Sequence, residues 1–276
     1  MKKNLKCLTC GSKTISLACK SKSRFSDRWF LLVKCKRCGL VFRENCEDAK
    51  QMIDSYAKDL NSPGYYQSIF LDRYRYGLFF IDRYLKNEQM ETFVDIGCGT
   101  GAMLQSARDR GAKRLIGTEI NQASLGECSR AGIADALYNA DLCDESLPKE
   151  LKNCQADVVF CNQTLEHLHK PNEAIKNISR ILKKGGILLI SVPNLAHYSF
   201  FLPLLTGRDN RGVFDVPAHF ATYNLRSIKS FLNRQGFEVV KAEPSRSYKG
   251  LLTLECLHFL NNFSFLIPTI TIVVRK

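Results

Sequence analysis

The chain has 276 residues, of which 45% are hydrophobic and 24% are charged, a composition typical of a globular protein with one α/β core and a small accessory module. No apolar run reaches the roughly 18 residues of a membrane span, and no basic-then-apolar leader follows Met1, so we expect a cytoplasmic protein. The net charge of +13 is uneven, because residues 1–50 hold 13 Lys and Arg residues against 4 Asp and Glu residues. This basic excess suits a solvated face, or an anionic partner such as nucleic acid, a lipid headgroup in peripheral membrane contact, or a nucleotide-linked sugar.

Twelve cysteines are present, and four of them form two C-x₂-C pairs. The paired residues are Cys7, Cys10, Cys35 and Cys38. Two such turns present four sulfurs, which is the ligand set of a closed, structural Zn²⁺ site. We therefore predict a zinc-ribbon module over residues 1–46, with a strand at residues 29–33 leading into the second pair. The other cysteines are scattered singly, and disulfides are not expected in a reducing compartment.

Residues 47–90 are predicted to form a helical linker or cap, because apolar residues recur there at helical spacing. The stripe consists of Tyr66, Ile69, Phe70, Tyr74, Leu78, Ile81 and Leu85. We expect this segment to pack at the edge of the core, with Tyr65 or Tyr66 over a bound ligand.

From residue 91 to residue 276 the pattern alternates between strands and helices. The predicted strands are 92–96, 114–119, 135–139, 156–161, 187–192, 237–242 and 269–274. The predicted helices are 100–110, 122–131, a third that opens at Pro171 and stops at Gly185-Gly186, and 224–235. Such alternation predicts a doubly wound, mostly parallel seven-stranded α/β sheet with helices on both faces, and ligands that bind at the carboxyl ends of its strands. Residues 193–222 interrupt the pattern as an insertion that suits a substrate lid.

The most informative motif is Val-Asp-Ile-Gly-Cys-Gly-Thr-Gly, at residues 94–101. Gly97, Gly99 and Gly101 lack Cβ atoms, so the backbone can approach a ligand closely or adopt positive φ angles. Asp95 adds a carboxylate at the end of the strand. The motif therefore indicates a site for an adenosine-containing cofactor.

Other nucleotide sites fit this motif less well. A phosphate-binding P-loop needs a Gly-Lys-Ser/Thr sequence, and no Lys follows Gly101. A dinucleotide site remains open, because Gly97-x-Gly99-x-x-Ala102 fits its spacing and Glu119 lies near the distance of a ribose-binding acid. A carboxylate at Asp95 would lie too close to a pyrophosphate, whereas it suits a ligand with a cationic amino-acid end.

The same motif resembles the first motif of class I S-adenosylmethionine-dependent methyltransferases, which have a Rossmann-like fold. The resemblance continues in order along the chain. Glu119 ends the second strand and Asp141 follows the third. Residues 157–167 resemble the fourth-strand segment of that family, and residues 182–188 resemble the turn before its fifth strand.

The resemblance implies a set of contacts with S-adenosyl-L-methionine. The implied cofactor-binding residues are Asp95, Gly97, Cys98, Gly99, Gly101, Glu119, Ile120, Asp141, Leu142, Asn162 and Gln163. In this interpretation the first motif surrounds the methionine portion and Glu119 binds both ribose hydroxyls. Asp141 binds the adenine amino group, with Ile120 beside the adenine and Leu142 packing on the ring. Asn162 and Gln163 lie near the methionine end and the acceptor.

Methyl transfer to a hydroxyl group calls for a general base, and four histidines are candidates: His167, His169, His197 and His219. We favour His167, which follows Glu166 after the fourth strand, and His219, which lies in the insertion. The chain has two C-x₂-C pairs, then a helical segment, then a methyltransferase-like core. This order resembles that of proteins from bacterial surface-glycan and sugar-modification gene sets. That resemblance implies a small-molecule or glycan-linked acceptor, methylated at oxygen. The stretch 215–223 departs from the pattern of those proteins, which leaves the acceptor contacts open.

Two alternatives belong to other classes. An RNA methyltransferase could use the basic ribbon to bind RNA, although Asn162-Gln-Thr-Leu lacks the Asn/Asp-Pro-Pro-aromatic motif of base-amino methylases. A catalytically inactive zinc-ribbon binding protein is the other alternative, and the intact acids Asp95, Glu119 and Asp141 count against it. The sequence does not identify the acceptor or an oligomeric state.

Overall fold

The computed structural model describes residues 4–23, 27–45, 65–197, 199–200, 218–245 and 267–276. The side chains of residues 65–69 lie outside this description, as do residues 46–64 and 201–217. The predictions for the start of the helical linker, for the Tyr65 or Tyr66 side chain, and for most of the lid insertion therefore lie outside the described residues.

Short strands precede the first described helix, and strands and helices alternate after it. In chain order, the strands are β1 (Ile15–Lys22), β2 (Trp29–Cys35), β3 (Val41–Arg43), β4 (Thr92–Ile96), β5 (Arg114–Thr118), β6 (Ala136–Tyr138), β7 (Ala156–Asn162), β8 (Leu182–Pro193), β9 (Ala221–Thr222), β10 (Glu238–Ser245) and β11 (Thr269–Arg275). The helices are α1 (Tyr65–Phe80), α2 (Ala102–Asp109), α3 (Gln122–Arg130), α4 (Lys149–Lys152), α5 (Pro171–Ile181) and α6 (Leu225–Arg234). A π-helical turn, Ile81–Leu85, extends α1, and a 3₁₀ turn, Leu165–His167, follows β7.

Seven strands form the main sheet in the order β10-β11-β8-β7-β4-β5-β6. The pairs from β8 through β7, β4 and β5 to β6 are parallel, and β11 runs antiparallel to both of its neighbours. The prediction of a mostly parallel, Rossmann-like seven-stranded sheet is confirmed. The chain reverses its winding direction at β4, whose carboxyl end is therefore the expected place for a ligand crevice.

Residues in β4 alternate between two hydrophobic clusters, one on each face of the sheet. Phe93 packs with Phe80 and Phe160 on the α1 face. Val94 belongs to the cluster on the opposite face, which also contains residues of the N-terminal module. This period of two is what a strand buried on both faces requires.

The predicted end of the third helix is wrong. Helix α5 ends at Ile181 and β8 begins at Leu182, so the pair Gly185-Gly186 lies within a strand and stops no helix. The cause is long-range pairing, because the Gly185 amide donates to the Lys276 carbonyl (3.1 Å) and the Lys276 amide donates to the Gly186 carbonyl (3.0 Å). These bonds hold the stretch against the end of the C-terminal strand, with Gly185 at a φ of 76°.

The buried face of α1 differs from the predicted stripe. Ile81 and Leu85 are buried as expected, but Tyr76 and Phe80, which the stripe omits, are the buried residues before them. The π-helical turn that starts at Ile81 is the reason, because one turn with an extra residue shifts the helical register. Tyr76 and Leu85 thereby come to lie on one face.

A smaller antiparallel sheet has the order β1-β2-β3-β9. Its last strand comes from the end of the predicted insertion, and pairs Val41 with Thr222 and Phe42 with Ala221. Two side chains add contacts, since Asn172 Nδ2 donates to the Leu8 carbonyl (2.6 Å) and Asn224 Nδ2 donates to the Gly39 carbonyl (3.2 Å). The N-terminal module is therefore joined to the main fold by a shared sheet, and the predicted domain bounds stay a prediction.

Within the described residues, no helix is both long and apolar enough to cross a bilayer.

Candidate functional site

The glycine loop that follows β4 folds over the end of β5. The amides of Gly97 and Cys98 both donate to the Thr118 carbonyl, at 2.8 and 2.9 Å. The Gly99 amide donates to Glu119 Oε2 at 2.9 Å. The first glycine loop and the acid after β5, which the sequence analysis predicted to share one site, are therefore in direct contact.

Two glycines of this loop could not be replaced without strain. Gly97 has a φ of 74°, and a Cβ atom there would lie 2.5 Å from Thr164 Oγ1. Gly101 has a φ of 91°, and a Cβ atom there would lie 2.7 Å from Cys128 Sγ. The loop thus needs glycine both for its left-handed backbone and for its close packing.

Asp95 is a buried carboxylate at the rim of the crevice, with 3% of its surface exposed. Burial raises the pKa of Asp95 well above its usual range, and the neighbouring Cys128 and Glu119 add to the rise, whereas the Arg73 guanidinium opposes it. A buried acid of this kind is stabilised in its charged form by a cationic ligand.

Arg73 approaches the loop from α1, because a Cβ atom on Gly99 would lie 3.2 Å from Arg73 Nη1. The sequence does not predict this residue as part of the site, because a single Arg on the polar side of a helix cannot be told from one that only faces solvent. A guanidinium and a buried carboxylate that lie beside the same loop can bind the two charged ends of an amino-acid group.

Glu119 is half-buried and uses both carboxylate oxygens. Besides its bond from Gly99, its Oε1 accepts from the Asn121 amide at 2.9 Å. Asn139 Nδ2 donates to the carbonyls of Glu119 and Ile120, both at 2.9 Å, which fixes the turn after β5. The Ile120 side chain is 41% exposed and offers an apolar surface beside these acids.

Asp141 is half-buried, and its Oδ1 accepts from the Cys143 amide at 2.8 Å. The side chains of Leu142 and Cys98, by contrast, are buried in the core, with 3% and 5% of their surface exposed. Of these two predicted residues, only the backbone can face a ligand in the crevice.

The end of β7 carries Asn162 and Gln163. Asn162 Oδ1 is buried, and no described residue forms a hydrogen bond with it. Gln163 has a φ of 49°, which is uncommon for a residue with a side chain and is often found at functional sites. Its side chain lies 3.5 Å from Ser191 Oγ, which lies 3.5 Å from the hydroxyl of Tyr76. Tyr76, on the shifted face of α1, is thus a second site residue that the predicted stripe missed.

The two favoured histidines come together. The ring centroids of His167 and His219 are 4.7 Å apart, with the rings at 72°, and the carboxylate of the fully buried Glu166 has an oxygen within 4.8 Å of a ring nitrogen of each. His167 Nδ1 lies 3.2 Å from the Ala218 carbonyl. Because a carbonyl only accepts, Nδ1 carries the hydrogen of this bond, and in the neutral ring Nε2 is the basic nitrogen.

The other two candidate bases are not part of this pair. His197 Nδ1 lies 2.7 Å from Ser199 Oγ, within its own turn. His169 is grouped with Asp141 and Cys143, and burial lowers its pKa. A lowered pKa keeps that imidazole neutral at physiological pH.

The four predicted zinc ligands also come together. The sulfurs of Cys7, Cys10, Cys35 and Cys38 all lie within 4.8 Å of one another. The distances are 3.6 Å from Cys7 to Cys38 and 3.6 Å from Cys10 to Cys35. Bonds of about 2.3 Å to a tetrahedral zinc ion separate sulfurs by about 3.8 Å, so this donor set fits the ion.

Comparison with known proteins gives a consistent result. Residues 72–242 match a family described as a methyltransferase domain. A probable S-adenosylmethionine-dependent methyltransferase of Mycolicibacterium smegmatis is 27% identical over 165 residues, which is 60% of this chain and 59% of that protein. A ubiquinone biosynthesis O-methyltransferase of Methylococcus capsulatus is 29% identical over 118 residues, which is 41% of this chain and 47% of that protein. The chain thus spans about half the length of these curated relatives.

Among solved structures, an S-adenosylmethionine-dependent methyltransferase from Archaeoglobus fulgidus has a TM-score of 0.53 at 21% identity, and the match covers 76% of this chain and all of that one. The matched family covers more than half of the chain, and the chain belongs to it. The chain thus carries a methyltransferase domain, and relatives similar to it are named S-adenosylmethionine-dependent methyltransferases.

We expect Gly97→Ala to lower the free energy of unfolding by about 1–3 kcal/mol, because the alanine must adopt a left-handed backbone against Thr164. The control is Gly126→Ala in α3, where a Cβ atom meets nothing within 4 Å and should add up to about 1 kcal/mol. Urea unfolding of both variants measures the difference. Equal effects at the two glycines would contradict the described loop geometry.

Proposed function

We propose that this methyltransferase methylates a hydroxyl group of a small-molecule or glycan-linked acceptor. The observation that carries the proposal is the contact between two imidazoles, those of His167, in the turn after β7, and of His219. Thr164 connects this turn to the end of β4, because its Oγ1 donates to the Ile96 carbonyl (3.2 Å) while its own carbonyl accepts from the His167 amide (2.9 Å).

The crevice residues fit S-adenosylmethionine, which supplies an activated methyl group on a sulfonium when it is bound. Asp95, which is buried and close to Arg73, would bind the amino group, and Arg73 would bind the carboxylate of the methionine end. Glu119 would accept hydrogen bonds from the ribose hydroxyls. The buried Asn162 Oδ1, which has no hydrogen-bond partner among the described residues, would gain one from the ligand.

At the adenine end, Asp141 would accept from the amino group through Oδ2, since its Oδ1 already accepts from Cys143. The exposed Ile120 would pack against the ring. These roles account for the two acids after β5 and β6, whose positions at the carboxyl ends of parallel strands suit a nucleoside.

The acceptor hydroxyl would lose its proton to the lone pair on His167 Nε2. The resulting imidazolium would be stabilised by the buried Glu166 carboxylate, within 4.8 Å, because charges interact strongly where water is excluded. His219, in contact with His167, would orient the acceptor. The name of the Methylococcus relative, an O-methyltransferase, supports oxygen as the methylated atom.

For the four cysteines we infer a structural role for Zn²⁺. Three of the four side chains are buried and belong to the core cluster shared with the main sheet. A closed set of four sulfurs leaves no open position for a substrate, so the ion would hold the two knuckles together and take no part in methyl transfer.

Glu119→Ala should weaken the binding of S-adenosylmethionine by roughly 1.5–3 kcal/mol, the size of hydrogen bonds to a charged group, which is more than tenfold in the dissociation constant. Titration calorimetry measures this change. The matched control is Glu127→Ala, which removes an exposed acid paired with Arg130 on α3 and should leave the constant unchanged. An unchanged constant for Glu119→Ala would remove Glu119 from the site.

The proposed reaction is tested with cofactor carrying a radiolabelled methyl group and three acceptor pools: hydroxylated small molecules, nucleotide-linked sugars and tRNA. We expect label in one of the first two pools. His167→Ala should lower that rate by about 10²–10⁴-fold, the usual contribution of a general base, with cofactor affinity unchanged, while His197→Ala should have little effect. Label entering only the RNA would support the RNA alternative, and full activity of His167→Ala would exclude that imidazole as the base.

The zinc proposal is tested by metal analysis of the purified chain. We expect one zinc ion per chain, and its loss in Cys35→Ser because a hydroxyl is a poor ligand for this ion. Cys19→Ser is the control, since Cys19 does not belong to the cluster of four sulfurs. Zinc that persists in Cys35→Ser, or that is lost equally from both variants, would contradict the assignment.

A further inference from the structure

Arg43 is a fully buried cation between two aromatic rings. It ends β3, has 1% of its surface exposed, and its guanidinium carbon lies 5.0 Å from the ring centroid of Phe30 and 4.6 Å from that of Phe220. Phe30 belongs to the N-terminal module, whereas Phe220 belongs to the segment that carries His219. The side chain thus bridges two parts of the chain that are far apart in sequence.

The charge of Arg43 is held in place by polar contacts as well. Its Nε and Nη2 both donate to the Asn45 carbonyl, at 3.2 and 2.7 Å. An arginine stays charged even when it is buried, and its planar group can stack on a ring while it donates from its edge. This geometry fixes the position of the guanidinium, and the Phe220 ring packs against a rigid surface.

The three residues 218–220, which we name the histidine strap, are bonded on both sides. On one side, the Arg43 amide donates to the Phe220 carbonyl at 3.0 Å. On the other, the Phe220 amide donates to the Glu166 carbonyl at 2.8 Å, and His167 Nδ1 donates to the Ala218 carbonyl at 3.2 Å. The strap therefore lies between the small sheet and the turn that carries His167.

The pairing of β3 with β9 continues this arrangement. Phe42 is paired with Ala221, the residue next to the strap, and Val41 with Thr222. The small sheet thus extends up to the backbone on which His219 is carried. A shift of the Arg43 side chain would therefore move the backbone that carries His219.

We propose that Arg43, by stacking on Phe220, is a positioning residue that holds the histidine strap so that the His219 ring stays against the ring of His167. The inference rests on the proposed function only in taking this pair as the acceptor side of the site. It gives the N-terminal module a role in building that side.

The test is a nuclear Overhauser cross-peak between the two rings in full-length protein labelled with ¹³C at its five histidines. Wild-type protein should show the cross-peak, because the rings lie 4.7 Å apart. Arg43→Met should lose it, because methionine has no charge to hold the Phe220 ring. Arg43→Lys should keep it, because an ammonium can still lie over that ring.

Arg28→Met is the matched control. The Arg28 guanidinium carbon also lies 5.0 Å from the Phe30 ring centroid, but Arg28 is exposed and precedes β2, outside the strand that pairs with β9, so the cross-peak should survive. If Arg43→Met does not fold, Phe220→Leu is the variant that tests the proposal. It removes the ring on which Arg43 stacks and leaves the contacts of Arg43 with Phe30 and Asn45. We expect it to lose the cross-peak as well. A cross-peak that persists in a folded Arg43→Met or in Phe220→Leu would overturn the proposal, as would its loss in Arg28→Met or Arg43→Lys.

Calorimetry with S-adenosylmethionine on the same samples separates this inference from the proposed function. We expect unchanged cofactor affinity in all four variants, because the strap lies on the acceptor side. If wild-type protein binds no cofactor, the proposed function fails while the ring contact is still measured. If the cofactor binds and the cross-peak persists in Arg43→Met, only the positioning role of Arg43 fails.

Discussion

The connection between the ends of β4 and β5 is the constraint on which the site depends. Three successive amides after β4 donate to Thr118 and Glu119, so the glycine loop folds back over the neighbouring parallel strand. Asp95, just before this loop, is buried, which raises its pKa, and Arg73 is close enough to oppose that rise. The fold creates the electrostatic need for a cation there, because a buried carboxylate is costly unless it is paired.

The small sheet supplies the other half of the site. Its last strand, β9, lies at the end of the predicted insertion, and three of its clustered cysteines share a core with the main sheet. The N-terminal module, which the sequence predicts as a separate unit, therefore shares a hydrophobic core with the main sheet. Its buried Arg43 contacts Phe220 of the histidine strap, which lies beside the imidazole pair.

Much of the central sheet could be predicted because its signals are local. The short apolar run before Gly97 and the alternation of strands and helices lie within a few residues of one another. The start of β8 could not be predicted, since Gly185 and Gly186 are joined to the strand by bonds to the distant Lys276. The role of Tyr76 depends on a π-helical turn without a sequence signature. The approach of His219 to His167 required the tertiary fold, although each residue was recognisable alone.

The most direct test of the central claim is a titration of ¹⁵N-labelled full-length protein with S-adenosylmethionine, followed through its amide signals. If the crevice lies at the ends of the first strands of the main sheet, the largest changes will be at Gly97, Gly99, Glu119 and Asp141. Changes confined to the N-terminal module, or displacement of the ligand by a nicotinamide dinucleotide at equal concentration, would contradict the account.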